Sequence, residues 1–192
     1  LTKDYKPRNY CAQYDETDFD FASRLMEEEG ISYYFEFAEN SETMIITDNF
    51  QNPRDCPTKC ELGYINQDLK EEHFESAIKA WLLNYKLQTG KVLFWDHNFQ
   101  LPEKKLEVEQ TTRFKVGGNE KLEVYKYPAG YARKYDGISK DGSEQKSDLD
   151  NIYTDNDRTA KNRIESLEAS YIISSGESDC CTLTSGHRFH LK

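Results

Sequence analysis

Two short pairs of residues have the types and the spacing that could bind a metal ion. Three residues separate Cys56 from Cys60, and two separate His187 from His190. Thiolate sulfur and imidazole nitrogen are the usual ligands of tetrahedral zinc, so the pairs would form a four-ligand site if the fold brought them together. The spacings are not those of zinc fingers, and the alternation of Arg188 and His190 also fits outward positions on a strand. A disulfide between Cys56 and Cys60 is a further interpretation.

The other three cysteines, Cys11, Cys180 and Cys181, bring the total to five. This odd and small number is sparse for a secreted domain held by disulfides, so free thiols in a reducing compartment are the simplest interpretation. Cys180 and Cys181 are adjacent, and neighbouring side chains on a strand point to opposite faces. We therefore expect one of these two thiols in the core and the other at the surface.

The sequence offers no clear catalytic constellation. Asp96 and His97 resemble an acid–base dyad, but adjacent strand residues face apart, so we expect Trp95 to be buried and Asp96 to begin a turn. A hydrolase would need two carboxylates held across a cleft, whereas the acidic runs at 27–29 and 148–150 are typical of solvated surfaces. Nucleophile-elbow, Walker and dinucleotide-binding motifs are absent from the sequence. We predict no catalytic residue and no cofactor, and a tail-associated hydrolase is the lesser alternative.

Composition and charge exclude several classes of protein. The 192 residues include 25 Lys and Arg against 35 Asp and Glu, a net charge of −10, which argues against nucleic acid as the main partner. No apolar run approaches the ~20 residues that cross a bilayer, and no signal-peptide pattern is visible, so we expect no membrane anchor. Hydrophobic residues make up only 36% of the chain, which favours a surface completed by a neighbour. Because the first residue is Leu1, we expect a piece of a longer protein.

Two helices are predicted to position these residues. The first covers about 18–29, where Thr17 can cap the first turn and Gly30 supplies the left-handed stop. Residues 27–29 lie at its C-terminal end, where negative charge is mildly unfavourable, and a plain exposed terminus is the simplest interpretation. The second helix covers about 157–169, with a narrow apolar stripe that includes Ala160 and Ile164.

Strand patterns fill most of the remaining chain. The aromatic stretch at 31–37, a turn and the segment 43–47 predict a hairpin. Gly90 predicts the tight turn of a second hairpin between 81–87 and 91–96. Further short strands are predicted at 105–108, 122–127 and 171–174.

The polar segments between these elements predict loops. Residues 48–71 read mostly as loop, and the charged segment 134–150 reads as a mobile loop. The elements together predict an α+β fold that is predominantly β. We expect two subdomains, a helix plus hairpin over 1–75 and a second β-rich part over 76–192.

Several of these segments together resemble one known family. Residues 8–21 read Arg-Asn-Tyr-Cys-Ala-Gln-Tyr-Asp-Glu-Thr-Asp-Phe-Asp-Phe, and 23–31 read Ser-Arg-Leu-Met-Glu-Glu-Glu-Gly-Ile. Both resemble the VgrG-type spike proteins of bacterial type VI secretion systems, which are similar to the baseplate hub of contractile phage tails (the late control protein D family). The further matching segments, in chain order, are 33–37, 44–48, 90–92, 95–99, 123–128, 130–131, 163–169, 176–178, Cys181, Leu183 and 186–189.

The resemblance implies a structural protein rather than an enzyme. Its fold would consist of antiparallel, barrel-like hub domains with the two helices, and the full-length protein would be a homotrimer. Its expected partners are the secreted tube protein, other baseplate proteins and possible effector proteins. The protein would assemble in the bacterial cytoplasm and then be secreted or injected into a target cell.

Two departures from the family pattern bear on this interpretation. Family members have further strands before this region and a neck and needle after it, so the resemblance implies an internal fragment of the hub. The pair Cys56 and Cys60 is outside the expected pattern. A zinc- or disulfide-stabilised binding module, with Cys56, Cys60, His187 and His190 as its candidate residues, is therefore the alternative function.

Overall fold

The computed structural model describes residues 1–8, 11–58, 60–65, 77–135 and 149–192. In these ranges strands hold more residues than helices, and the predicted α+β, predominantly β class is confirmed. The helices are α1 (Asp18–Glu29) and α2 (Asn151–Ala169); the strands are β1 (Ser32–Ala38), β2 (Ser41–Thr47), β3 (Glu61–Tyr64), β4 (Ala77–Tyr85), β5 (Lys91–Asp96), β6 (Leu106–Thr111), β7 (Glu123–Lys126), β8 (Ile172–Ser178) and β9 (His190–Leu191). Across the same ranges, no helix has both the length and the apolar character that a bilayer span requires.

The chain divides into two compact units, and neither is continuous in sequence. The first unit contains residues 1–3, 31–85 and 172–192, and the second contains residues 4–30 and 86–171. The boundary predicted between residues 75 and 76 falls outside the described residues. The division into 1–75 and 76–192 therefore stays a prediction, as does the mobile loop, because residues 136–148 are also outside the described part.

Helix α1 begins and ends where its capping residues predict. The Thr17 hydroxyl accepts a hydrogen bond from the Asp20 N–H at 3.1 Å, which satisfies one of the free donors of the first turn. Gly30 adopts the left-handed conformation, with φ of 71°, and its N–H donates to carbonyls of the last turn. No residue of α1 is fully buried, so the helix is held by its partly buried apolar side and by the ion pairs described below.

The core of the second unit lies between helix α2 and a three-stranded sheet. The sheet has the order β6-β5-β7, in which β5 pairs antiparallel with β6 and parallel with β7. Strand alternation turns one face of this sheet toward the helix. The buried apolar residues of this core are Val92, Phe94, Leu106, Val108, Tyr131, Ala132, Tyr135, Leu149, Ile152, Ala160 and Ile164.

Helix α2 begins at Asn151, earlier than the predicted start near 157. The apolar stripe is confirmed, because Ala160 and Ile164 are both buried. Residues 151–156 contain Asn, Thr, Asp and Tyr, which are poor helix formers, so propensity gives no signal there. Ile152 is nevertheless fully buried against the sheet, and this tertiary contact extends the helix.

The first predicted hairpin is confirmed and the second is wrong. Strands β1 and β2 pair antiparallel, and Ser32 lies opposite Thr47. Strand β4 pairs instead with β8, about ninety residues further along the chain, and β5 belongs to the sheet of the second unit. Gly90 makes no hairpin turn; a Cβ at this position would lie 2.7 Å from the Asn119 backbone, so the glycine permits a close approach of two chain segments.

The first unit contains a four-stranded sheet with the order β8-β4-β3-β9. Strand β3 lies in the segment that was predicted as loop, and it pairs parallel with both β4 and β9. Its four residues are too few for a periodicity signal, although Leu62 is fully buried. Strands β6, β7 and β8 confirm the remaining predicted short strands, although their first and last residues differ from the predicted ones.

Candidate functional site

The structure brings the two predicted metal-ligand segments side by side in the first unit. The Cys56 N–H donates to the Arg188 carbonyl, and the His190 N–H donates to the Cys60 carbonyl. Arg188 also forms an ion pair with Asp55, which holds the pKa of that carboxyl below its ordinary value. The two segments are therefore joined by backbone hydrogen bonds and a surface ion pair.

The side chains of these segments do not gather into a metal site. Cys56 is buried and Cys60 is half-buried, while the His187 ring lies 3.0 Å from the Ser185 carbonyl and 3.7 Å from the Glu36 carboxylate. Among the described residues, no three Cys, His, Asp or Glu side chains lie close enough together to hold a metal ion. The zinc site stays a prediction without geometric support.

The cysteines are free thiols in this structure. Cys180 is buried and Cys181 is exposed, which confirms the expected division of this adjacent pair between core and surface. Cys11 is exposed. The cysteine side chains are thus separate thiols in the core or at the surface, and they do not form a common site.

Asp96 is a buried anchor for the loop that follows β7. Its carboxylate accepts hydrogen bonds from the N–H groups of Gly130 at 2.7 Å and Ala132 at 3.0 Å, and also from the His97 N–H at 3.0 Å. Buried carboxylates are stable when backbone donors satisfy them in this way. The Asp96 oxygens are occupied by backbone donors, so the geometry favours a structural role over an acid–base dyad with His97.

The expectation that Trp95 is buried is wrong. Its side chain is 43% exposed, and its ring lies against Tyr127 with a centroid distance of 5.3 Å. Residues alternate between the two faces of β5, and the inner face is taken by Phe94 and Asp96, so Trp95 must lie on the outer face.

A group of five charged side chains, here called the Glu29 cluster, joins the C-terminal end of α1 to helix α2 within the second unit. The Glu29 carboxylate lies 2.7 Å from Arg8, 2.7 Å from Arg158 and 3.3 Å from Lys134. Asp155, which is almost fully buried, pairs with Arg158 at 2.5 Å and with Lys134 at 3.4 Å. Each carboxylate therefore contacts more than one cation.

The cations of the Glu29 cluster keep its central carboxylate ionised. Burial alone would raise the pKa of Glu29, but the hydrogen bond from Arg8 and the charges of Lys134 and Arg158 outweigh this effect and leave its pKa below the ordinary value. The exposed terminus expected for residues 27–29 is therefore wrong at Glu29, whose side chain is only 14% exposed. This contact fixes the end of α1.

Glu168 forms a second anchor, between the end of α2 and the segment after β6. One carboxylate oxygen accepts from the Thr112 hydroxyl at 2.9 Å and the Arg113 N–H at 2.7 Å. The other accepts from the Arg113 guanidinium at 2.9 and 3.0 Å. Burial opposes ionisation, but these donors outweigh it and lower the pKa of Glu168.

The Glu168 anchor predicts an acid-sensitive contribution to stability. Because its pKa is lower in the folded chain, the contribution is complete above the unfolded value of 4.5 and is lost as the pH falls through the folded value. We expect Glu168→Gln to lower the free energy of unfolding by about 2 kcal/mol at pH 7. Urea unfolding at pH 7, 5, 4 and 3 should show the difference from the native chain shrinking as the pH falls below the unfolded value of 4.5. A difference that is independent of pH would contradict the role of the charge.

The paired strands β4 and β8 expose apolar side chains on both of their faces. Opposite pairs such as Leu83 with Ser174 and Tyr85 with Ile172 define one face, and strand alternation puts Leu82 and Ile173 on the other. The exposed fractions are 59% for Leu82, 66% for Tyr85 and 48% for Ile173. We call residues 80–85 and 172–177 the β4–β8 ribbon. Apolar exposure of this kind is typical of a surface that another chain covers.

Comparison with known proteins agrees with the segments that suggested a resemblance. The family model for the phage tail baseplate hub (GPD) matches residues 1–192, the whole chain. The chain belongs to this hub family. The hub-family assignment confirms the resemblance drawn from the sequence, and it rests on the full length rather than on one motif.

Curated relatives of this hub-family chain are spike proteins of Pseudomonas aeruginosa. The chain is 30% identical to type VI secretion system spike protein VgrG1b over 194 aligned residues, which cover 100% of the chain and 23% of that protein. The identity is 29% to VgrG1a, over 89% of the chain and 23% of the relative, and 27% to VgrG1c, over 100% and 23%. The chain thus spans about a quarter of the length of these relatives.

Proposed function

We propose that this chain is a structural part of the hub of a contractile injection machine, either a type VI secretion spike or a phage-like baseplate. The observation that carries the proposal is the match of the hub family to all 192 residues. The anchors formed by Asp96, Glu29 and Glu168 support it, because each carboxylate joins separate segments of the fold. The role is mechanical and non-enzymatic.

The hub is proposed to be a homotrimer in the full-length protein. The β4–β8 ribbon supports self-association, because its exposed apolar side chains on both faces would be buried by neighbouring copies. Among the described strands, β8 also lies at the edge of its sheet, where unpaired backbone groups can pair with another chain. Copies related by symmetry would cover one another's ribbons.

The proposed partners follow from the hub role. They are the secreted tube protein, other baseplate proteins and possible effector proteins, with no nucleic acid. Assembly in the bacterial cytoplasm followed by secretion or injection into a target cell belongs to the same proposal. The relatives' names, which describe type VI secretion system spike proteins, support this assignment.

Light scattering on the full-length protein at micromolar concentration tests the assembly. We expect a trimer, and we expect the double variant Leu83→Glu/Ile173→Glu to weaken association by at least about tenfold, because it places a charge on each face of the ribbon. Ile46→Glu is a matched control: Ile46 is a 45% exposed strand residue of the same unit outside the ribbon. A monomeric full-length protein would contradict the hub role, and equal effects of both changes would contradict the choice of the ribbon.

A further inference from the structure

The second unit contains a cavity of about 750 Å³ between α1, α2 and the loop after β7. This volume is in the range of sites that bind drug-sized ligands. Its floor includes the apolar side chains of Phe94, Val124 and Ala129. The cationic residues that line it are Arg8, Arg24, Lys126, Arg133, Lys134 and Arg163.

Within the described residues, these six cations divide into three that have an acidic partner and three that do not. Arg8, Arg24 and Lys134 are engaged in ion pairs with acidic residues of the same unit. Lys126, Arg133 and Arg163 form no ion pair with any described residue.

The carboxylates of the cavity do not cancel this charge. Glu28 is paired with Arg8 and Arg24, so Glu27 is the only lining carboxylate that is left without a cation among the described residues. In a chain with a net charge of −10, a cavity that gathers cations without an acidic partner among the described residues is an exception to the overall balance. Like charges placed around one cavity repel one another, and an anion would relieve that repulsion.

We propose that this cavity binds an acidic peptide segment of a partner protein. Arginine guanidinium groups match carboxylates in a two-bond geometry, and Arg133 and Arg163 supply two such groups with Lys126 as a third cation. The apolar floor would accept a side chain between the acidic residues of the peptide. The Glu27 carboxylate can accept a hydrogen bond from a peptide N–H. This binding role lies beyond the proposed hub assembly, which rests on the β4–β8 ribbon.

The arrangement favours a peptide over a phosphate group. Phosphate sites usually present free backbone N–H groups to the ligand. Here the Gly130 and Ala132 N–H groups, next to the cavity, already donate to the Asp96 carboxylate. The cations are carried by separate elements, since Lys126 ends β7, Arg133 lies in the short 3-10 helix Ala132–Lys134 and Arg163 is on α2. Such spacing suits several carboxylates along a chain better than one compact anion.

Fluorescence anisotropy on the 192-residue chain tests the site with the labelled peptide Glu-Glu-Phe-Glu-Glu as the probe. We expect the triple variant Lys126→Gln/Arg133→Gln/Arg163→Gln to bind this peptide about tenfold more weakly than the native chain. Lys104→Gln/Lys115→Gln/Lys121→Gln is the matched control, because it removes the same charge from exposed positions of the same unit that do not line the cavity. The control variant should bind like the native chain.

Three results would overturn the proposal. Equal weakening by the two triple variants would indicate long-range charge rather than a site. Equal binding of the uncharged peptide Gln-Gln-Phe-Gln-Gln would remove the role of the carboxylates. Displacement of the acidic peptide by inorganic phosphate at equal or lower concentration would assign the cavity to phosphate-bearing ligands instead. Circular dichroism of each variant shows that the compared chains are folded.

Discussion

Replacing Glu29 with alanine is expected to lower the free energy of unfolding by about 3 to 4 kcal/mol. The side chain lies between Arg8, Lys134 and Arg158, and its removal leaves Lys134 and Arg158 to share Asp155 while Arg8 keeps only Glu28. Uncompensated charge in a partly buried position is costly, because water cannot replace the lost partner fully. Urea unfolding of the native and variant chains at pH 7 measures the difference.

The helix dipole opposes this loss of stability at Glu29, but its effect is smaller than that of the ion pairs. A carboxylate at the C-terminal end of a helix is unfavourable by about 0.3 to 1 kcal/mol, so its removal should return part of the loss. Glu27→Ala, in the same helical turn, isolates this effect because Glu27 is exposed and lies outside the Glu29 cluster. We expect Glu27→Ala to change stability by less than about 0.5 kcal/mol. Similar losses in both variants would show that the cluster contributes little.

The elements that sequence reasoning predicted well are those fixed by neighbouring residues. Helix α1 follows from Thr17 and Gly30, which cap its two ends directly. The β1–β2 hairpin follows from an aromatic strand and a short turn. In each case the residues that determine the structure lie close together in the sequence, so the local sequence pattern is enough to predict the element.

The failures occur where distant segments decide the structure. Nothing near β4 indicates that it pairs with β8 rather than with β5. Gly90 resembles a turn residue, although its small size serves a close contact with Asn119. A glycine pattern alone cannot distinguish these two uses, because both require only the absence of a side chain.

The candidate sites show the same limit. Acidic residues at 27–29 look alike in sequence, and Glu28 also pairs with Arg8, yet among the described residues only Glu29 contacts all three cations, which come from before α1, from the loop after β7 and from α2. The sequence suggested that the segment of Cys56 and Cys60 lies near the segment of His187 and His190, and the two segments are neighbours in the structure. The hydrogen bonds that join these cysteines to the other segment are made by backbone groups, not by the sulfur or imidazole groups. The residue types and their spacing therefore indicated which segments lie close together, but not the direction in which their side chains point.

Ile152→Ala is the second change with a large expected effect, about 3 kcal/mol of lost stability. Ile152 is fully buried in the core formed by α2 and the β6-β5-β7 sheet, so alanine would leave a cavity among well-packed neighbours. Thermal and urea unfolding should both report the loss.

The size of this effect also tests the extension of helix α2. Every fourth position of the helix is buried, and the sequence of these positions is Ile152, Asn156, Ala160, Ile164 and Glu168. Two of them are polar, which hides the stripe from a hydrophobic pattern. Tyr153→Ala is the matched control, since this neighbour is 39% exposed and should change stability by about 0.5 kcal/mol or less. If the buried stripe of α2 did not reach Ile152, its side chain would not pack against the sheet and its replacement would cost no more than that of Tyr153. The extended helix requires a clear difference between the two variants.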